Sequence, residues 1–418
     1  MMKRIAFIFF SAFSLCFAVP LYVYADETAS LDSFIEEALN NNPKIQAAHK
    51  QYEAAANRIG QAISLDDPMI EYEYNKIVAD RMLTGEPMRM FSASQEIPFP
   101  TKIYFRAKMA SRIAKVEYET YKATERDIIA QVKSVYSELL LIDKLISLNK
   151  ENKAILDQFS KVATTRYGTS EGSQADALKA QLELAKADNE LIMLEQRRLS
   201  NQARLNVLLS RDPKQELGIL IPEEAVRLAK SLDEFYSLAR QNNPELKAYN
   251  YGVEKGQAAL NLSRQEFLPD FKVKFTQMVD EGRREADAWA GMLGVTIPLW
   301  AHKQIFGVKE MEAELGSLRA EYKMKENMVL FDIRDAYARA EANIKLVELY
   351  ETAFIPQAEQ TVQAALKGYE SRSADFLNLL DSQRMLIEFK IEHYKAILEL
   401  RLALADLEKA AGTDVNFE

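Results

Sequence analysis

The stretch LDSFIEEALNNNPKIQA, Leu31 to Ala47, returns as LDEFYSLARQNNPELKA, Leu232 to Ala248. The correspondence continues along the chain. PMIEYEYN at Pro68 pairs with PDFKVKFTQ at Pro269, and QEIPFPTK at Gln95 pairs with VTIPLWAHK at Val295. VKSVYSELLLIDKL, carrying Tyr136, pairs with IRDAYARAEANIKL, carrying Tyr337. YGTSEGSQADALKAQ at Tyr167 pairs with YESRSADFLNLLDSQ at Tyr369. A near-constant offset over so many segments is duplication, so the chain has to fold as one unit built twice.

Each unit reads as two short helices, two strands, a very long helix, a turn and a long returning helix. Between Thr101 and Asp212 there is no proline, and glycine occurs only at Gly168 and Gly172. That stretch is predicted to be a helical hairpin, with a first arm of about 65 residues, or about 100 Å. Val132, Leu139 and Ile146 recur every seven residues with Val135 and Ile142 between them, a coiled-coil seam. Leu141, Leu145 and Leu148 make a second stripe, which suits a stave flanked on both sides. In repeat two, Pro356 stands where repeat one has Ile155, so a bend is expected in the second long helix alone.

The strands alternate. Ile70, Tyr72 and Tyr74 interleave with Glu71 and Glu73, and Phe271, Val273 and Phe275 with Lys272 and Lys274. One face is apolar or aromatic and the other charged. In a soluble protein this is a half-buried sheet; a lipid-facing barrel with a wet interior fits the same pattern. Four strands cannot close a barrel, and an open edge cannot exist in lipid, so the barrel reading requires several copies of the chain.

The segment before Asp26 differs from the rest. Lys3 and Arg4 precede an apolar run, and Val23-Tyr24-Ala25 fits a cleavage site. Residues 1–25 are therefore expected to be a signal peptide. The single cysteine, Cys16, lies within it after a bulky Leu15, which does not suit lipid attachment. The repeats are expected at 26–212 and 232–418, joined by a linker at 213–231. Strand pairs are expected at about 68–98 and 269–298, and helical hairpins at 101–212 and 299–412. With a formal charge of −9 and no basic patch, nucleic acid is not an expected partner.

A twofold repeat of paired strands set among very long helices, with LDxF…NNP openings and strand exits ending in IP, resembles the TolC-like outer-membrane efflux channels. PMRMFSASQEIPFPTK, Pro87 to Lys102, is similar to the heavy-metal efflux branch, with Thr101 where that branch usually has glycine. The resemblance implies a mainly α fold with a small transmembrane β part. Three copies would form a twelve-stranded barrel and a helical tunnel in the periplasm. It implies a passive duct, with heavy-metal cations as a cargo class. The implied partners are a periplasmic adaptor, an inner-membrane resistance-nodulation-division-type pump and outer-membrane lipid. An alternative from the same pattern is a soluble periplasmic coiled-coil scaffold or adaptor protein without a barrel.

No catalytic constellation is present in the sequence, and neither a cofactor nor an enzymatic activity is expected. His49, His302 and His393 lack second ligands at metal-site spacing. Met82, Met88 and Met90 offer thioethers of the kind that bind Cu(I), although Met88 and Met90 read first as strand residues. The hairpin tips are the expected contacts for the adaptor: Gly168, Gly172 and Ser173 in repeat one, Ser371, Arg372 and Asp375 in repeat two. Ser173 and Asp375 suit N-caps, with Asp176 completing a capping-box pattern. By resemblance, positions nine and twelve after Tyr369, Asn378 and Asp381, form the periplasmic gate. The equivalent count in repeat one falls on Asp176 and Lys179.

Overall fold

The duplicated Asn-Asn-Pro phrase makes the same clasp twice. Asn42 caps helix α2 (Pro43–Ile63) by accepting from the Lys44 N–H, while its amide donates to the Leu208 carbonyl. Asn243 caps α6 (Pro244–Gln265) by accepting from the Leu246 N–H, and donates to the Ala410 carbonyl. Each asparagine is buried, and each ties the start of a repeat to the end of its returning helix. The proline that follows stands in the first turn, where no N–H is needed.

The computed structural model of the chain describes residues 30–75, 88–222, 228, 230–280, 288–371 and 373–414. The leader with Cys16 and Ala25, together with Met82 and Arg372, lies outside the described residues. Repeat one contains α1 (Leu31–Asn41), α2, β1 (Met69–Asn75), β2 (Met88–Ile97), α3 (Pro100–Gly168) and α4 (Gln174–Leu208). Repeat two contains α5 (Leu232–Asn242), α6, β3 (Asp270–Asp280), β4 (Ala288–Thr296), α7 (His302–Leu349), α8 (Ile355–Glu370) and α9 (Phe376–Ala411). At 69 residues, α3 is about 100 Å long.

Each repeat has its own apolar core, and the two are built alike. Phe34 of α1 meets Tyr136 of α3 edge-on at 6.0 Å, and Phe235 of α5 meets Tyr337 of α7 at 6.1 Å. Val132, Val135 and Leu139 are buried in the first core; Ile333, Ala336 and Ala340 take their places in the second. A third core near the tips, with Phe159, Ala180, Leu379 and Leu380, joins the two hairpins.

The long helix of repeat two is broken where α3 is not. A π-helical turn, Tyr350–Phe354, precedes Pro356, and the Ile355 N–H reaches back five residues to the Tyr350 carbonyl. Proline has no N–H, and its ring would collide with the carbonyl four residues earlier. The extra residue in the turn shifts that carbonyl away. The irregularity expected at Pro356 thus takes the form of a π turn, while α3 continues unbroken through Ile155.

At the other end, β2 becomes α3 through a junction that joins the repeats. The Lys102 ammonium, 2% exposed, lies 2.8 Å from Asp270 and 3.6 Å from Glu266. Asp270 also accepts from the Phe99 N–H. Thr101, the departure from the branch pattern, donates its hydroxyl to Gln265.

Repeat two ends at Gly412, which has a φ of +74° and closes α9. A Cβ there would sit 2.6 Å from the Asn243 Cα. In repeat one Ser210 holds the same left-handed turn, φ 60°, and its hydroxyl donates to the Asn41 carbonyl. Gly412→Ala is expected to cost about 2 kcal/mol or more, through backbone strain and this clash. Thermal unfolding followed by circular dichroism checks it; Ser210→Gly, which relieves rather than adds strain, should not lower the midpoint.

Candidate functional site

The four strands form one antiparallel sheet in the order β1-β2-β3-β4, with β2 pairing across the repeats to β3 from Met88↔Asp280 to Ile97↔Phe271. Continuous register fixes which residues share a face. Ile70 aligns with Ala93 and Phe275, and Tyr72 with Phe91; Trp289 of β4 lies 5.0 Å from Phe275. This face is mainly apolar, with Arg89, Gln95 and Gln277 as its polar members, and it is bare: Ile70 is 79% and Leu293 73% exposed. The strands pack extensively only against one another, so no described element of the chain covers it.

The opposite face is polar and more crowded, with Ser92 and Ser94 buried. Glu71 accepts from Lys274 at 2.7 Å and from Ser92 at 3.1 Å, and Glu96 pairs with Lys272 at 3.4 Å. A bare apolar outside and a charge-paired inner wall are what a barrel needs when its solvent is lipid and its lumen is water. Both edges, β1 and β4, are unpaired among the described residues.

The far end of the molecule is formed by the two hairpin tips. After Gly168, the N–H groups of Glu171 and Gly172 turn back onto the Arg166 carbonyl. A Cβ on Gly172 would lie 3.0 Å from the Arg166 Cβ, so the tight turn favours glycine. Ser173 caps α4 by accepting from the Ala175 N–H. Asp176 does not complete a capping box with Ser173; a reciprocal box forms instead at Ser231 and Glu234, opening α5. Asp375 caps α9 by accepting from the Asn378 N–H at 2.9 Å. The hydroxyls of Ser371 and Ser373 bond to the Gly368 carbonyl. Asp176 and Lys179 lie in the first two turns of α4.

Three residues that sequence reasoning missed connect these tips. Arg166 donates to the Tyr369 carbonyl at 3.0 Å and lies 4.1 Å over its ring, fastening the end of α3 to the end of α8. Arg384, three residues after Asp381, donates to it at 3.0 Å and grips Glu183 of α4 with two further nitrogens, at 2.6 and 3.2 Å. Glu183 also accepts from Lys186. The Arg384 hydrogen bond holds the Glu183 carboxyl below its ordinary range, and Glu183 in turn raises Arg384. Asp381 is therefore exposed but not isolated, because an arginine offsets its charge. The signal in the sequence was the offset itself: Glu183 and Arg384 are repeat-equivalent positions, and so nearly are Arg166 and Tyr369. Equivalent positions lie at the same height on neighbouring hairpins.

The three histidines stay apart. His49 lies beside Glu53 and between Tyr52 and Tyr121, His393 bonds Glu351 at 3.1 Å, and His302 opens α7. Among the described residues no group of three His, Cys, Asp or Glu side chains could hold a metal ion, and no helix is long and apolar enough to cross a membrane.

The family profile described as "Outer membrane efflux protein" matches twice, at residues 34–211 and 235–413. The cobalt-zinc-cadmium resistance protein CzcC of Cupriavidus metallidurans is 23% identical over 92% of this chain and 90% of its own length. The outer membrane protein TolC of Vibrio cholerae is 21% identical, covering 94% of each. A crystal structure of CusC superposes with a TM-score of 0.80 at 15% identity, over 92% of both chains.

Proposed function

The chain belongs to the outer membrane efflux protein family, and from that premise we propose how its residues build the duct. It is an outer-membrane efflux channel with a helical tunnel in the periplasm, so the scaffold alternative falls away. The observation that carries this reading is the bare apolar face of the sheet backed by a charge-paired one.

Ring closure follows from the edges. Repeat one supplies one edge of the molecule at every level: β1, then α2, then α4. Repeat two supplies the other: β4, then α7, then α8. Each edge keeps an apolar stripe with no partner among the described elements. Leu178, Leu182, Ile192 and Leu199 are exposed along α4, and Met324, Met328 and Phe331 along α7. Two different edges joined head to tail generate a ring when the rotation closes, and three copies bring twelve strands, above the minimum of about eight. The proposed assembly is a homotrimer of two side-by-side repeats, 26–212 and 232–418, following a cleaved leader at 1–25.

In that ring Asn378 and Asp381 stand as the periplasmic gate. The tips around Gly168, Gly172, Ser173, Ser371, Arg372 and Asp375 are the contacts for a periplasmic adaptor, which couples to an inner-membrane pump. Metal cations are the proposed cargo, supported by the likeness to a protein named for cobalt, zinc and cadmium resistance. The protein is proposed to move them passively, without catalysis.

Ile192→Glu tests the assembly. The position is 65% exposed in the single chain, where such a change is nearly neutral to folding. In a ring it buries a charge at a subunit seam. Light scattering of the detergent-extracted protein should give three chains for the parent and fewer for the variant. Three chains in both would remove α4 from the interface.

A further inference from the structure

The polar face of the sheet also carries methionines: Met69 and Met292 stand singly on the outer strands, beside Ser94 and Lys274, and one pair stands together on the two central strands. On β2 the inward positions Glu96, Ser94 and Ser92 are polar, and on β3 so are Lys272, Lys274 and Thr276. The next pair outward is Met90↔Met278. Both share the face of Glu71 and Lys274, since strand residues alternate and the register has no slip. Both are partly buried. A water-filled lumen favours polar side chains, so two adjacent methionines there call for an explanation other than packing. Met88 and Asp280 pair one row further out.

We propose that Met90 and Met278 form a thioether site for a soft monovalent cation, Cu(I) or Ag(I), on the lumen wall near the outer mouth. Cross-strand partners have Cβ atoms about 5 Å apart, and methionine has three rotatable bonds, so two sulfurs can converge on one ion. Thioethers select Cu(I)-like ions over Zn(II), which prefers imidazole, thiolate and carboxylate. Glu73, paired with Met90 on β1, adds a carboxylate on the same wall. Further in, Lys274 pairs with Glu71 and Lys272 with Glu96. The sequence pointed first to Met82, Met88 and Met90, all of repeat one. The register changes the partner to Met278, from the other repeat. In the trimer three such sites ring the lumen at one height, and they make soft monovalent cations the class of ion that lingers at the exit.

This proposal rests on the barrel reading, and its test separates the two. Purified detergent-solubilised protein is dialysed against Ag(I), and bound silver is measured for the parent, the M90L/M278L double variant and M109L/M385L, whose methionines lie on α3 and α9 away from the sheet. Leucine keeps the volume and apolarity of methionine and removes only the sulfur. The parent should hold silver at least about tenfold more tightly than M90L/M278L, and M109L/M385L should match the parent. Conductance in planar bilayers is recorded on the same samples. A conducting parent whose silver binding is unchanged by M90L/M278L, or is lost equally in M109L/M385L, overturns the site alone. A parent that neither conducts nor inserts overturns the barrel and the site together.

Discussion

Phe275→Arg is expected to abolish stable insertion, although Phe275 is half exposed in the single chain. The position lies mid-strand on β3, between Ala93 of β2 and Gly291 of β4, on the bare apolar face. On a soluble surface an arginine there would cost little. In lipid it costs about 2–4 kcal/mol near the bilayer midplane, and three copies multiply the penalty in a trimer. Thr276→Arg, one residue along, points into the lumen and should be tolerated, changing conductance rather than assembly. Outer-membrane fractionation with heat-resistance of the oligomer on gels reads both. Equal behaviour of the two variants would contradict the assignment of faces.

The second large effect is expected at the tips. Removing the Arg384 guanidinium leaves Asp381 and Glu183 without the cation that now bridges them, and releases α9 from α4 at that height. With Asp381 at the proposed gate, Arg384→Ala should sharpen block by a trivalent cation added from the periplasmic side, because three uncompensated carboxylates would then face one axis. Asp381→Asn should weaken block relative to the parent, and Asp381→Asn combined with Arg384→Ala should fall between them. If none of the three differs from the parent, Asp381 does not line the gate. The latch also has a pH signature. The Glu183 carboxyl is depressed in the folded protein, so its contribution is full above the ordinary glutamate value of about 4.5 and is lost as pH falls through the lower folded value. Acidification below pH 4.5 should loosen the parent tips and leave Arg384→Ala, which lacks the pair, much less affected. Single-channel recording across that range checks the sign.

The parts of this fold that were legible in the sequence are those coded by spacing. Helix length followed from the missing prolines, and the face of each strand from Ile70-Glu71-Tyr72-Glu73 and its counterpart at Phe271. The meaning of the Asn-Asn-Pro phrase was not legible. Its asparagine acts on Leu208 and Ala410, more than 160 residues away, and nothing local announces that partner. Arg166, Glu183 and Arg384 were missed for the same reason: each reads as an ordinary solvated helix charge until the second repeat is placed beside the first. Pro356 was visible, but its accommodation by a π turn depends on a hydrogen-bond register that residue type alone does not specify. The Met90–Met278 pair likewise needed the β2–β3 register, which brings one strand from each repeat together.

Chains are proposed to join edge to edge into a hollow ring of three. Electron microscopy of particles extracted from the outer membrane and viewed down their long axis tests it most directly. The prediction is threefold symmetry around an open centre, with six hairpins in the wall; a solid rod, or a ring with any other number of chains, would contradict it.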